Sequence, residues 1–191
     1  IEGIDFSANY RTTTSSGGID VGVSGNYVLG RKSQTGIGAP VLNDLKAVNT
    51  VLANGTRLVS DATSRLHLQA VLGTDIGNFR AQATLNHNGG YGLVRCDATR
   101  TPACTASVTG VATANGQPQD RVRAFNTVNL FFKYAVPGES MLLRDLEFTL
   151  NINNVFDQDP PLLKRVAAST PGYANGFTLG RLVQFGVTRK F

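Results

Sequence analysis

Leu146-Glu147-Phe148-Thr149-Leu150-Asn151-Ile152-Asn153 alternates apolar and polar residues without a break. On a β-strand that period of two puts Leu146, Phe148, Leu150 and Ile152 on one face and Glu147, Thr149, Asn151 and Asn153 on the other. Six further stretches read the same way. Ile4, Phe6, Ala8 and Tyr10 oppose Asp5, Ser7 and Asn9, and Ile19, Val21, Val23, Tyr27 and Leu29 oppose Asp20, Ser24 and Asn26. Leu66, Leu68, Ala70 and Leu72 oppose Arg65, His67 and Gln69, while Phe79, Ala81, Ala83 and Leu85 oppose Arg80, Gln82, Thr84 and Asn86. Val122, Ala124, Val128, Leu130, Phe132 and Tyr134 share a face, as do Val183, Phe185, Val187 and Phe191, with Arg189 interrupting the last. The expected strands run to roughly 9–13 residues, against ~5–6 for an average soluble strand and ~9–11 for a tilted strand that crosses a bilayer. Length and alternation together favour an all-β, antiparallel transmembrane barrel with a wetted inner face.

Composition agrees. Charged residues make up 16% of the chain, there are 21 glycines and no tryptophan, and mean hydropathy is near zero. No apolar run approaches the ~20 residues of a membrane-spanning helix. A barrel escapes that test because its apolar residues are spread over alternate positions. The net charge of +5 suits solvated loops or anionic head groups. Nucleic acid is not an expected partner.

The connections sort into two kinds. Those at residues 12–17, 74–77 and 137–144 are short, and those at about 30–63, 90–120 and 157–178 are long. Their strict alternation fits a barrel with tight turns at the periplasmic rim and loops outside. Cys96 and Cys104 then fall in an outer loop, and with no metal-spaced Cys/His cluster nearby they are expected to form a disulfide. Seven strands do not close a single-chain bacterial barrel, which uses an even number. Either an eighth strand lies near Val48 to Ala53, or the chain is part of a larger barrel. A strand-like start at Ile1, without initiating Met or leader, favours the second.

The phrase Asn151-Ile152-Asn153-Asn154-Val155-Phe156-Asp157-Gln158-Asp159-Pro160-Pro161, followed by Gly172-Tyr173, Leu179-Gly180-Arg181 and a strand ending in Phe191, resembles the end of TonB-dependent outer-membrane receptors. Gly3-Ile4-Asp5-Phe6 and Phe125-Asn126-Thr127-Val128-Asn129-Leu130 also resemble barrel strands of that family. The resemblance is loose over the chain and close over residues 121–191. It implies that residues 1–191 form about the last seven strands of a 22-stranded barrel plugged by an N-terminal domain. Such receptors import siderophores, cobalamin, haem or oligosaccharides with energy delivered by TonB. The implied partners are the rest of the barrel, the plug, TonB through the plug-bearing N-terminal part, outer-membrane lipid, lipopolysaccharide and the assembly machinery. Val183, Phe185, Val187 and Phe191 resemble the C-terminal signal read by that machinery.

Candidate contacts with the lumen or plug are Arg65, His67, Arg80, Phe125 and Phe131. The two phenylalanines have the wet parity, so they are expected to pack against a plug rather than stack on a ligand. His67 and His87 stand on separate strands and read as a lumen residue and a rim residue, in preference to metal or haem ligands. Asp157 and Asp159 flank a turn, where backbone hydrogen bonding is a commoner role than calcium binding. No cofactor, metal or catalytic constellation is expected. Asn54-Gly55-Thr56 and Gly36-Ile37-Gly38 read as loop. Ligand recognition is assigned to the long loops, whose cations Arg31, Lys32, Lys46, Arg57, Arg95, Arg100, Lys164 and Arg165 favour an anionic ligand or lipopolysaccharide phosphates. The rival readings are a small eight-stranded barrel acting as adhesin or anchor, a secreted β-sandwich that binds carbohydrate or protein, and an outer-membrane enzyme, for which the catalytic residues are missing.

Overall fold

The computed structural model describes residues 1–34, 36–51, 55, 57–60, 62–93, 113–114, 117–118, 121–137, 146–165, 168–171 and 180–189. Seven long strands form one antiparallel sheet: β1 (Glu2–Thr14), β2 (Gly17–Gly30), β3 (Leu66–Ile76), β4 (Phe79–Asn88), β5 (Phe125–Ala135), β6 (Leu146–Asn153) and β7 (Leu182–Arg189). Each pairs with its neighbour in sequence, so the sheet is an uninterrupted meander with β1 and β7 at its edges. No second sheet of comparable size lies among the described residues, and the remaining strands form two-residue to four-residue hairpins.

Register converts the alternation of each strand into two continuous faces. One row across all seven strands runs Tyr10, Val21, Leu72, Ala83, Leu130, Ile152, Val183. The next runs Thr12, Ile19, Thr74, Ala81, Phe132, Leu150, Phe185. Flanking rows add Ala8, Val23, Ala70, Leu85 and Val128 on one side, and Ile76, Phe79, Tyr134, Phe148 and Val187 on the other. The opposite face carries Ser24, Gln69, Asn86 and Thr127 in one row, and Arg11, Asp20, Gly73, Gln82, Phe131, Asn151 and Gln184 in another. A one-residue slip anywhere would have inverted a strand.

Two turns are tighter than the sequence suggests. Thr12 and Thr13 continue β1, leaving only residues 15–16 in the turn, and β3 runs through Asp75 and Ile76 to a turn at Gly77 and Asn78. The cause is cross-strand pairing: Asp75 faces Arg80 and Ile76 faces Phe79, while Gly77 takes the positive φ (55°) the two-residue turn needs. The segment near Val48 does form a strand, Val48–Val51, but it pairs with Arg57–Ser60 and stands outside the sheet.

The buried apolar side chains are not on the sheet's apolar face. Among the described residues they are Leu45, Ala62, Leu93, Val122 and Phe125, all at the rim where the long connections begin and end. Backbone hydrogen bonds tie that rim together: Asp44 N–H to Arg31 O, Thr63 N–H to Asp44 O, and Ala62 N–H to Gly92 O. Val122 differs from its sequence reading as an outward strand residue, for it is wholly buried. The strand breaks at Arg123 and Ala124, so Arg121–Val122 pairs with Tyr91–Gly92. Gly90 permits this, since a Cβ there would sit 2.7 Å from the Val122 carbonyl oxygen.

Candidate functional site

Among the described residues the apolar face meets no second layer. Ile76 is 60% exposed, Val183 59% and Phe185 67%, and Ile19, Val21, Leu72, Phe79, Leu85 and Val187 are exposed as well. Phe79 packs on Phe132 with ring centroids 6.2 Å apart, and Phe148 on Phe185 at 6.0 Å, so the aromatic rings lie along the surface. Scattered exposed apolar residues are ordinary, but a contiguous face of this extent marks contact with something apolar. Along β3 the face spans Leu66 to Ile76. At ~3.4 Å per residue that span is ~34 Å long, and at the ~40° tilt of outer-membrane barrel strands it would rise ~26 Å, close to their ~25 Å apolar band. Tyr27, Tyr134 and Tyr10 all lie on this face, with Tyr27 toward the loop end, Tyr134 toward the turn end and Tyr10 inside the band. Leu68, Ala81, Leu130, Phe132, Phe148, Leu150, Val183 and Phe185 share it as the alternation predicts.

Charge is confined to the other face. Past the register shift at Glu2/Gly3, and among the described residues of the seven strands, Asp5, Arg11, Asp20, Asp75, Arg80, Lys133 and Glu147 have the polar parity, whereas Arg189, opposite Leu146 at the turn end, does not. Four of them form a cluster near the tight turns. Arg80 Nη1 lies 2.8 Å from Asp75 Oδ2 and 3.2 Å from Asp20 Oδ1, Arg80 Nη2 donates to Gln82 Oε1 at 3.1 Å, and Arg11 Nη2 reaches Asp75 Oδ2 at 3.1 Å. Asp20 Oδ1 is shielded from water and makes that ion-pair approach without an aligned hydrogen bond. Lys133 Nζ and Glu147 Oε2 pair separately at 2.6 Å.

The loop end of the same face is different. A depression of about 590 Å³ is lined there by Ser24, Asn26, His67, Gln69, Asn86, Asn88, Thr127, Asn129 and Asn153 among others, with Phe125 beside them. Gln69 Nε2 donates to Asn86 Oδ1 at 3.0 Å, and His67 Nδ1 lies 2.7 Å from Asn88 Oδ1. On the far side of the sheet His87 Nδ1 is 2.6 Å from Asn126 Oδ1, a polar pair at the loop-end margin of the apolar band.

The Asn-Val-Phe-Asp phrase is a clasp between strands. Asn154 is 1% exposed with φ 51°, a left-handed conformation that Asn tolerates well. Its backbone N–H donates to Asn129 Oδ1, its Nδ2 to Gln158 O, and its Oδ1 accepts from Gln158 N–H, each at 2.9 Å. Asp157 Oδ1 accepts the Arg181 N–H at 2.7 Å, which binds the entry of β7 to the end of β6. Among the described residues no cluster of three or more metal-type side chains occurs.

Of the sequence-derived candidates, His67 lines the depression, Arg80 centres the charge cluster, and Phe131 lies half-buried on the polar face between Gln82 and Asn151. Phe125 is already covered by the chain's own rim, and Arg65 accepts Val28 N–H through its carbonyl just before β3. Val183, Phe185 and Val187 are exposed on the apolar face. Phe191, Cys96, Cys104, Arg95 and Arg100 lie outside the described residues. Among the loop cations, Arg31 pairs with Asp44 at 3.3 Å. The amide-lined depression and the rim cluster escaped sequence reading, because both depend on which loop bases fold back over the strands. The chain matches no family model, no curated protein and no solved structure.

Proposed function

We propose that this chain is wall of a bacterial outer-membrane β-barrel, the last seven strands of a TonB-dependent receptor of the 22-stranded type that imports a scarce ligand past an N-terminal plug. The observation that carries the reading is the uncovered apolar face, of bilayer height, with the strand charges on the reverse. Lipid fits that face, because a soluble protein would have to bury it against a second layer. The two edges support a larger barrel. In hydrocarbon each unpaired backbone group along β1 and β7 would cost several kcal/mol, so both edges need neighbouring strands. On this reading the charge cluster and Phe131 face the lumen and the plug, the long connections face outside, and TonB acts through the N-terminal part.

Single cysteines in a background lacking Cys96 and Cys104 test the assignment on intact outer membranes. Cysteines at Gln82 and Asn151 should label with a water-soluble maleimide, and those at Phe132 and Leu150 should resist it while reacting with a bilayer-soluble probe. Equal labelling at all four positions, or recovery of the protein in the soluble fraction, would overturn the proposal.

A further inference from the structure

The polar face is divided, and the division points to a ligand class. Six of its charged side chains stand at the turn end, in the rows of Arg11, Asp20, Asp75, Arg80, Lys133 and Glu147, while Asp5, on the edge strand opposite Asn26, stands toward the loop end. The depression at the loop end is lined by Ser24, Asn26, Gln69, Asn86, Thr127 and Asn129 with His67 and Phe125, and by no carboxylate, lysine or arginine. We propose that this depression binds a neutral, polyhydroxylated ligand, a sugar or short oligosaccharide. This rests on the barrel reading and deepens it.

Carboxamides and hydroxyls offer a donor and an acceptor on one group, which matches the dual character of a sugar hydroxyl. An ionic ligand would be desolvated here with no opposite charge to meet it, an unfavourable exchange. The amides are held in place by one another: Gln69 to Asn86, Asn86 Nδ2 to Thr127 Oγ1 at 3.5 Å, and the Asn154 N–H to Asn129. Gln69 Oε1 and His67 Nε2 take no part in those bonds, so each is presented for a further partner. Pre-positioned groups lose less entropy on binding. The volume, about 590 Å³, lies in the range of small-molecule pockets.

The test uses the whole receptor purified from outer membranes in detergent, probed with neutral malto-, xylo- and cello-oligosaccharides, with ferric citrate and polyphosphate as anionic probes. Neutral oligosaccharides should bind, and Gln69→Ala and Asn86→Ala should each weaken binding about five- to tenfold, the loss of one or two hydrogen bonds. Gln184→Ala, on the same face outside the depression, should leave affinity unchanged. Retained heat-modifiable mobility shows that each variant is folded. Silence from every neutral probe, anionic binding alone, or neutral binding that survives both substitutions overturns the ligand class. Absence of the receptor from the outer membrane, read first by fractionation, would instead overturn the barrel reading.

Discussion

Arginine placed at neighbouring positions of β6 should separate the two faces by energy. Leu150 stands between Phe132 and Phe185 on the apolar face, four residues from Leu146 at the turn end and four from the Asn154 clasp at the loop end. It is therefore at mid-height of its strand. Asn151 stands one residue on, between Phe131 and Gln184 on the polar face. If the apolar face meets lipid, as proposed above, Leu150→Arg would put a guanidinium inside the hydrocarbon at a cost of ~2–4 kcal/mol, a shift of about 30- to 700-fold in the folding equilibrium. Leu146→Arg, beside the native Arg189, should cost only ~0–1 kcal/mol because a rim side chain reaches the head groups. Asn151→Arg adds a charge to a face that already carries charges and should cost less than ~1 kcal/mol. Urea unfolding of the full receptor in lipid vesicles, followed by the loss of heat-modifiable migration, measures all three. The expected order is Leu150 well above Asn151 and Leu146. Equal costs at 150 and 151 would refute the facing, and equal costs at 150 and 146 would refute the membrane.

Arg80→Ala strands Asp20 and leaves Asp75 with Arg11 alone, and should destabilise by ~2 kcal/mol, with about half regained when Asp20→Asn is added; a double-mutant cycle in urea reads the coupling. Asn154→Ala removes both side-chain hydrogen bonds of the clasp and leaves Ala at a left-handed φ, so a loss of ~2–4 kcal/mol is expected, whereas Asp157→Asn keeps an acceptor for the Arg181 N–H and should cost under ~1 kcal/mol in the same assay. Gly180→Ala should be harmful by at least ~1 kcal/mol, since φ is 67° and the new Cβ would lie 2.8 Å from Asp157 Oδ1. Cys96 and Cys104 should resist maleimide on intact cells until a reductant is added, and free thiols at both before reduction would remove the expected disulfide.

What was legible in the sequence is what depends on period alone. Leu146 to Asn153 fixes its own faces without reference to any neighbour, and six other strands do likewise, so the meander and both faces follow once consecutive strands pair. Strand ends were less legible, since Asp75 and Ile76 look like turn residues until Arg80 and Phe79 are set opposite them. The rim was not legible. Val122 obeys the apolar parity yet is buried, because Gly90 lets another backbone approach and the strand breaks at Arg123 and Ala124. The amide depression was hidden for a related reason. Ser24, Gln69, Asn86 and Thr127 are each an unremarkable polar position within a strand, separated by up to a hundred residues, and become one surface only through the register of four strands. The charge cluster is assembled the same way, from Arg11, Asp20, Asp75 and Arg80. Each strand therefore encodes its facing locally, while the chemistry of the polar face is encoded across strands. A substitution that removes one polar partner from a cross-strand row, such as Gln69→Ala, should spare the pairing of its strand and alter only what the polar face binds.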